Sequence, residues 1–176
     1  KQSGAKMTSI KSLTVTNIDK SYAGVQVLHS VSFSVPAGEV VGLIGENGAG
    51  KSTISSIIAG VVQPDSGKMT IDGASYNPGN PAEAISNGVA LIHQEIRMIP
   101  ELSIAENIHL GRLPMKNGRV DSAKLYADST EVLKKLGVNI DPRRKIRGLS
   151  IAAQQSVEIA KAISRNPRYV IFDEPS

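Results

Sequence analysis

The run Gly45-Glu46-Asn47-Gly48-Ala49-Gly50-Lys51-Ser52-Thr53 constrains this chain more than any other feature. It fits G-x-x-x-x-G-K-[ST], a loop that curls back on itself and opens directly into a helix. The flanks suit the pattern: the apolar stretch Val40-Val41-Gly42-Leu43-Ile44 precedes it, and a helix is expected from Lys51 to Ala59. A continuous apolar strand feeding such a loop reads as a central parallel strand covered on both faces, so the expected class is α/β. The glycines let backbone N–H groups close around phosphates, and the helix N-terminus adds its positive dipole end. ATP or GTP binding follows. Gly45, Asn47, Gly48, Ala49, Gly50, Lys51, Ser52 and Thr53 form the cradle, with Lys51 reaching the β/γ-phosphates and the Ser52 hydroxyl holding Mg²⁺.

A second element completes the chemistry. Val170-Ile171-Phe172 is an apolar strand that runs into Asp173-Glu174. A buried strand that delivers a carboxylate at its C-terminal end sets that charge beside a cation, which offsets the cost of desolvating it. Asp173 is the expected Mg²⁺-side residue, and Glu174 the general base that polarises the attacking water.

The chain otherwise divides by pattern. Residues 1–9 read as a flexible N-terminus. Residues 10–94 read as the nucleotide-binding core, opening with alternating antiparallel strands: Leu13 and Val15, then Val27, Val31, Phe33 and Val35. Further strands are expected at Lys68 to Ile71 and Val89 to Ile92, with a helix from Ala82 to Asn87. Over residues 95–165 strand patterns give way to three helical ones, Ser103 to Leu110, Ser122 to Leu136 and Ser150 to Ser164. Residues 166–176 return to the core. No apolar run approaches the roughly 20 residues of a membrane span, so a membrane role is expected through a partner. There is no cysteine, and hence no thiolate zinc site or disulfide framework to argue from. The net charge of +4 is spread along the chain, and 3% aromatics offer little for stacking on bases, so nucleic acid is not an expected partner.

Taken together, these motifs resemble those of the ATPase subunits of ABC transporters, from about Leu13 to Pro175. The resemblance implies an ABC-type P-loop ATPase: a mixed central sheet, an N-terminal antiparallel β-subdomain and a helical insert. It implies further roles. Tyr22, in Lys20-Ser21-Tyr22-Ala23-Gly24, matches the aromatic that stacks on adenine. Gln94, in Leu91-Ile92-His93-Gln94-Glu95, matches the glutamine that touches Mg²⁺ and the catalytic water, while His93 is left as structural. Leu149-Ser150-Ile151-Ala152-Ala153-Gln154-Gln155 occupies the place of the signature Leu-Ser-Gly-Gly-Gln, in degenerate form. There Ser150 would cap the γ-phosphate held by an opposite domain, and the methyl groups of Ala152 and Ala153 would crowd that approach.

Within the family, Ile99-Pro100-Glu101-Leu102-Ser103-Ile104-Ala105-Glu106-Asn107-Ile108 and Val157-Glu158-Ile159-Ala160-Lys161-Ala162 are similar to the monosaccharide importers, arabinose type included. That likeness implies ATP hydrolysis on the cytoplasmic face of the membrane, permease subunits, a second nucleotide-binding domain in the same polypeptide and, indirectly, a sugar-binding protein outside the membrane. The chain is expected to stop before the family's D-loop and switch histidine, and so to hydrolyse ATP weakly alone and to expose a sheet edge. Two other readings compete: an ABC-type ATPase without a membrane partner, and a small-molecule kinase built on the same P-loop. A non-hydrolysing nucleotide-binding module is a variant of these.

Overall fold

The computed structural model describes residues 11–92 and 98–173, and the chain divides between Val89 and Ala90 into two compact units. In the first unit the alternating segments become β1 (Ser12–Tyr22) and β2 (Val25–Pro36), an antiparallel pair joined by Ala23-Gly24. Both turn residues have positive φ, 48° and 83°, the geometry that matches the right-handed twist of a hairpin.

Leu13 and Val15 face inward as expected, but so does Ile18, which means the parity of β1 changes along its length. The cause is a bulge: Asn17 has φ 48°, and the register shifts between Val15 and Ile18. One extra residue re-aims every side chain beyond it. Ser32 on β2 secures the bulge, accepting from Asn17 N–H at 2.8 Å and donating to Asn17 Oδ1 at 3.0 Å.

After β2, Val40 to Ile44 form no strand, contrary to the sequence expectation. Val40 and Ile44 are 100% and 99% exposed. A strand needs neighbours to satisfy its backbone N–H and C=O groups, and among the described residues no strand pairs with this segment. Apolar composition favours burial but names no partner.

Helix α1 (Lys51–Ile58) buries Ile54, Ile57 and Ile58. Next, β3 (Ser66–Ile71) pairs with the free edge of β1, and β4 (Ala74–Tyr76) adds to β3, giving the antiparallel order β2-β1-β3-β4. The Tyr76 hydroxyl donates to Ile58 O at 2.6 Å and fastens the end of α1 to β4. Helix α2 (Pro81–Ser86) follows, capped by the Asn80 side chain.

Two acidic side chains hold the open end of this sheet. Asp19 accepts from Ser30 N–H at 2.8 Å, Ser66 Oγ at 2.8 Å and Gln26 Nε2 at 3.0 Å. Asp65 accepts from Lys20 Nζ at 2.7 Å and Ser21 N–H at 2.6 Å. Hydrogen bonds to the ionised form hold both carboxyls below their ordinary value of 3.8, led by Ser30 for Asp19 and by Lys20 for Asp65. The unfolded chain therefore takes up these protons first as pH falls. Their stabilising contribution is complete above about pH 4 and disappears as pH drops through the lower folded values. We expect the urea midpoint to decline over that acid window in the native protein and to decline less steeply in an Asp19→Asn, Asp65→Asn double variant.

The boundary falls after the first residue of β5 (Val89–Ile92); the second unit takes the rest of that strand, α3 (Ile104–Ile108), a small hairpin of β6 (Met115–Lys116) and β7 (Arg119–Val120), α4 (Ser122–Lys135), α5 (Ile151–Ile163) and β8 (Tyr169–Phe172). Strands β5 and β8 form a two-stranded sheet. The three helices fall where the periodicity placed them, and Ile104, Ile108, Leu133, Ile146, Val157 and Ala160 make their shared core.

Helix α3 is only five residues long and depends on its caps. Ser103 Oγ accepts from Glu106 N–H at 3.1 Å, and Glu106 returns an oxygen to Ser103 N–H at 2.7 Å, a reciprocal capping box. Buried Asn107 ties the preceding loop, accepting from Ile99 N–H at 2.8 Å and donating to Ile99 O at 3.1 Å.

Candidate functional site

The glycine-rich loop is open to solvent from Gly45 to Ala49 and closes against the protein only at Gly50. A tight turn shapes it, with Ala49 N–H donating to Glu46 O at 3.1 Å. Gly48 and Gly50 have φ of 85° and 84°, values that a side chain rarely tolerates. Gly50 also has no room for one: an added Cβ would lie 2.5 Å from Leu28 Cδ2 and 3.1 Å from Val27 O. Strand β2 is thus the floor on which the loop turns into α1. Sequence reasoning missed Val27 and Leu28 in this role, and no local signal would have linked them to Gly50.

The start of α1 differs from the other helices. Asn80, Ser103, Asp121 and Ser150 each cap α2, α3, α4 and α5 with a side-chain oxygen, whereas the N-cap of α1 is Gly50, without a side-chain bond and without an acidic residue in the first turn. Its leading N–H groups and the positive end of its dipole are left for an external acceptor. Ser52 lies exposed in that first turn, and Thr53 is half-buried beside it. The Lys51 ammonium arches back over the loop and donates to Gly45 O at 2.7 Å and Glu46 O at 2.9 Å. Its reach spans the same loop whose glycines would hold phosphates. Glu46 was not among the expected site residues, because its contribution is a carbonyl that every residue type carries.

Tyr22 stands at the end of β1, 44% exposed and paired with Val25. Val25 is two residues, about 7 Å of strand, from Val27, whose backbone supports Gly50. Tyr22 and that support therefore share one end of the hairpin. Lys20 sits on the same side of β1, its Nζ 5.5 Å from the ring centroid.

In the second unit, Ser150 is the N-cap of α5, its Oγ accepting from Ala153 N–H at 3.3 Å. Ile151 is 70% exposed and Ala152 is also exposed, so this helix start is presented outward from its unit. Asp173 follows β8 directly; it is half-buried, and its N–H donates to Ile92 O at 3.2 Å. Gln94 and Glu174, like His93, lie outside the described residues. Among the described residues no cluster of three His, Cys, Asp or Glu forms a metal site. Magnesium bound to a nucleotide does not need one, since it keeps waters and takes one or two protein oxygens beside the phosphates. The Ser52 hydroxyl in the first unit and the Asp173 carboxylate in the second are each, taken alone, a hard donor of that kind.

The sequence pattern of the ABC transporter family matches residues 28–176. The chain belongs to that family. Its curated relatives include the arabinose import ATP-binding proteins of Vibrio parahaemolyticus, 45% identical over 164 residues, and of Burkholderia thailandensis, 48% identical over 164 residues, each match covering 93% of this chain. The chain spans about a third of those relatives, 32% and 33%. Among solved structures, an ATP-binding cassette of an ABC transporter in its ADP conformation superposes with TM-score 0.80 at 28% identity, covering 94% of this chain and 69% of that one. A nucleotide-free cassette from an ABC transporter gives 0.78 at 27% identity, covering 95% and 70%. The ABC ATPase class expected from the motifs therefore holds. No helix among the described residues is long and apolar enough to cross a membrane.

Proposed function

We propose that this chain binds ATP with Mg²⁺ and belongs to an ATPase that drives import of a monosaccharide through a membrane permease. The observation that carries the first half is the uncapped start of α1 beneath an open loop, with Lys51 arched across it. An anion placed there gains backbone N–H bonds, the helix dipole and an ammonium together. Tyr22 supplies a face for adenine, and Ser52 and Asp173 supply oxygens for the cation. Gln94 and Glu174 would position and deprotonate the attacking water. Magnesium held there would supply neutralisation of the charge that develops on the transferring phosphoryl group.

The second half rests on the importer relatives. Ser150, at the exposed start of α5, is assigned to the γ-phosphate of a facing nucleotide-binding domain, within the same polypeptide in the full-length protein. Permease subunits and an external sugar-binding protein complete the assembly, which places the ATPase on the cytoplasmic face of the membrane.

Lys51→Ala tests the site. Removing one charge-assisted contact to phosphate costs about 1.5–3 kcal/mol, so ATP affinity should fall about 10- to 100-fold by calorimetric titration while the urea midpoint hardly moves. Unchanged affinity would remove the loop from the nucleotide site. The transport reading is tested separately by ATP turnover of the full-length protein with and without its permease. Indifference to the permease would favour an ABC ATPase without a membrane partner.

A further inference from the structure

In the first unit, the contacts that close the open end of the sheet also reach an aromatic ring. Asp65, in the turn before β3, accepts from Ser21 N–H at 2.6 Å and from Lys20 Nζ at 2.7 Å. Its own N–H donates to Asp19 O at 2.9 Å, so the turn that carries it is tied to the backbone of β1. The Lys20 ammonium in turn lies over the Tyr22 ring, 5.5 Å from the centroid. A carboxylate, a cation and a ring are thus linked in series, from the turn to the tip of the hairpin.

Lys20 is the enclosed member of this series, with a side chain 15% exposed against 44% for that of Asp65. Tyr22 is half-exposed, and its cross-strand partner Val25 is 67% exposed. A ring at so open a strand end has little packing to fix it, and ordering it only when a ligand arrives costs affinity. The ion pair with Asp65 holds the ammonium in place, and the ammonium attracts the ring within the cation–π range of about 6 Å. The cation takes one face of the ring and leaves the other for a flat ligand.

We propose that Lys20, anchored by Asp65, is a positioning residue that holds the Tyr22 ring ready for a purine base to stack on its other face. This role rests on the reading of Tyr22 as the adenine platform and adds what keeps that platform in place. In this arrangement Lys20 touches neither base nor phosphate, because Asp65 and the ring take up its ammonium. Loss of the lysine charge therefore weakens ligands that carry a base and spares those that carry phosphates alone.

The test labels the full-length protein with fluorotyrosine and follows the Tyr22 fluorine resonance, identified by its loss in Tyr22→Leu. ATP with magnesium is titrated directly. Tripolyphosphate with magnesium, which has the phosphates and no base, is measured by its displacement of ATP from that signal. Lys20→Met keeps the apolar stem and removes the charge, so ATP affinity should fall about two- to tenfold, the span of a cation–π contact, with tripolyphosphate affinity unchanged. Lys20→Arg keeps a cation that can pair with Asp65 and should bind ATP as the native protein does. Asp65→Ala, which releases both Lys20 and Ser21 N–H, should weaken ATP with the same selectivity. Unchanged ATP affinity in Lys20→Met or in Asp65→Ala, with the Tyr22 signal still responding to ATP, overturns the positioning role and leaves the platform standing. Equal weakening of ATP and tripolyphosphate assigns Lys20 to the phosphates and overturns it too. If ATP binds with the expected dependence on Lys51 yet leaves the Tyr22 signal unmoved, the adenine assignment falls and the positioning role falls with it.

Discussion

Gly50→Val is expected to abolish detectable ATP binding and to lower the urea midpoint of the protein. Gly50 is buried at φ 84°, and an L-residue held in the left-handed region costs about 1–2 kcal/mol, more when β-branched. Steric cost adds to this, because the new Cβ would lie 2.5 Å from Leu28 Cδ2 and 3.1 Å from Val27 O. Leu28 can turn its methyl away, but the Val27 carbonyl belongs to the backbone of β2. Overpacking of that kind adds about 1–3 kcal/mol, for a total of roughly 2–5 kcal/mol. The loss of function should exceed the loss of stability, since Gly50 is the N-cap that aims the first N–H groups of α1. Gly48→Ala is the informative contrast: its φ of 85° is equally strained, but nothing lies within 4 Å of the added Cβ. Gly48→Ala should therefore stay folded with a modest loss. A Gly50→Val protein that bound ATP with native affinity would show that the observed path of the loop is irrelevant to the ligand.

The contrast between Gly50 and Val40 shows what was legible in the sequence. The phosphate loop is local chemistry: its glycines, its lysine and the helix that follows are contiguous, so the sequence alone places them together at the start of α1. The caps are local in the same sense, and Ser103 and Ser150 stand where two of the expected helices begin. Val40 to Ile44 are different, because a strand is a relation between segments and apolar residues do not name their neighbour. The hairpin of β6 and β7 was missed for another reason. Its strands are two residues each, too short for periodicity, although Asn117-Gly118 between them is a strong turn signal, with φ of 51° and 76°.

Bulges are equally silent in a sequence. Nothing in Thr16-Asn17-Ile18 announces that inward parity changes there: asparagine adopts positive φ several-fold more often than most residues, but most asparagines do not, so the residue type alone does not mark a bulge. The unpartnered Nε2 of His109 and Nε–H of Arg112 lay beyond sequence reasoning altogether, because they follow from packing and not from residue type. Absences of that kind become visible only once every donor has been matched in space.

Glu174→Gln in the full-length protein should separate binding from turnover. Strand β8 carries its ladder up to Asp173, whose N–H still bonds Ile92 O at 3.2 Å, so the backbone that carries the first carboxylate is held by the sheet. Under the proposed function the cation falls to Asp173 and the water to Glu174. The amide of glutamine keeps the size and removes the base, and general-base catalysis is worth about 10²–10⁴ in rate. Turnover should fall by that factor while ATP affinity stays within a few-fold. Asp173→Asn should act in the opposite sense, weakening Mg²⁺-dependent binding itself, because the cation loses a charged oxygen. Should Glu174→Gln hydrolyse ATP at the native rate, the base lies elsewhere and the acidic pair has only its metal role.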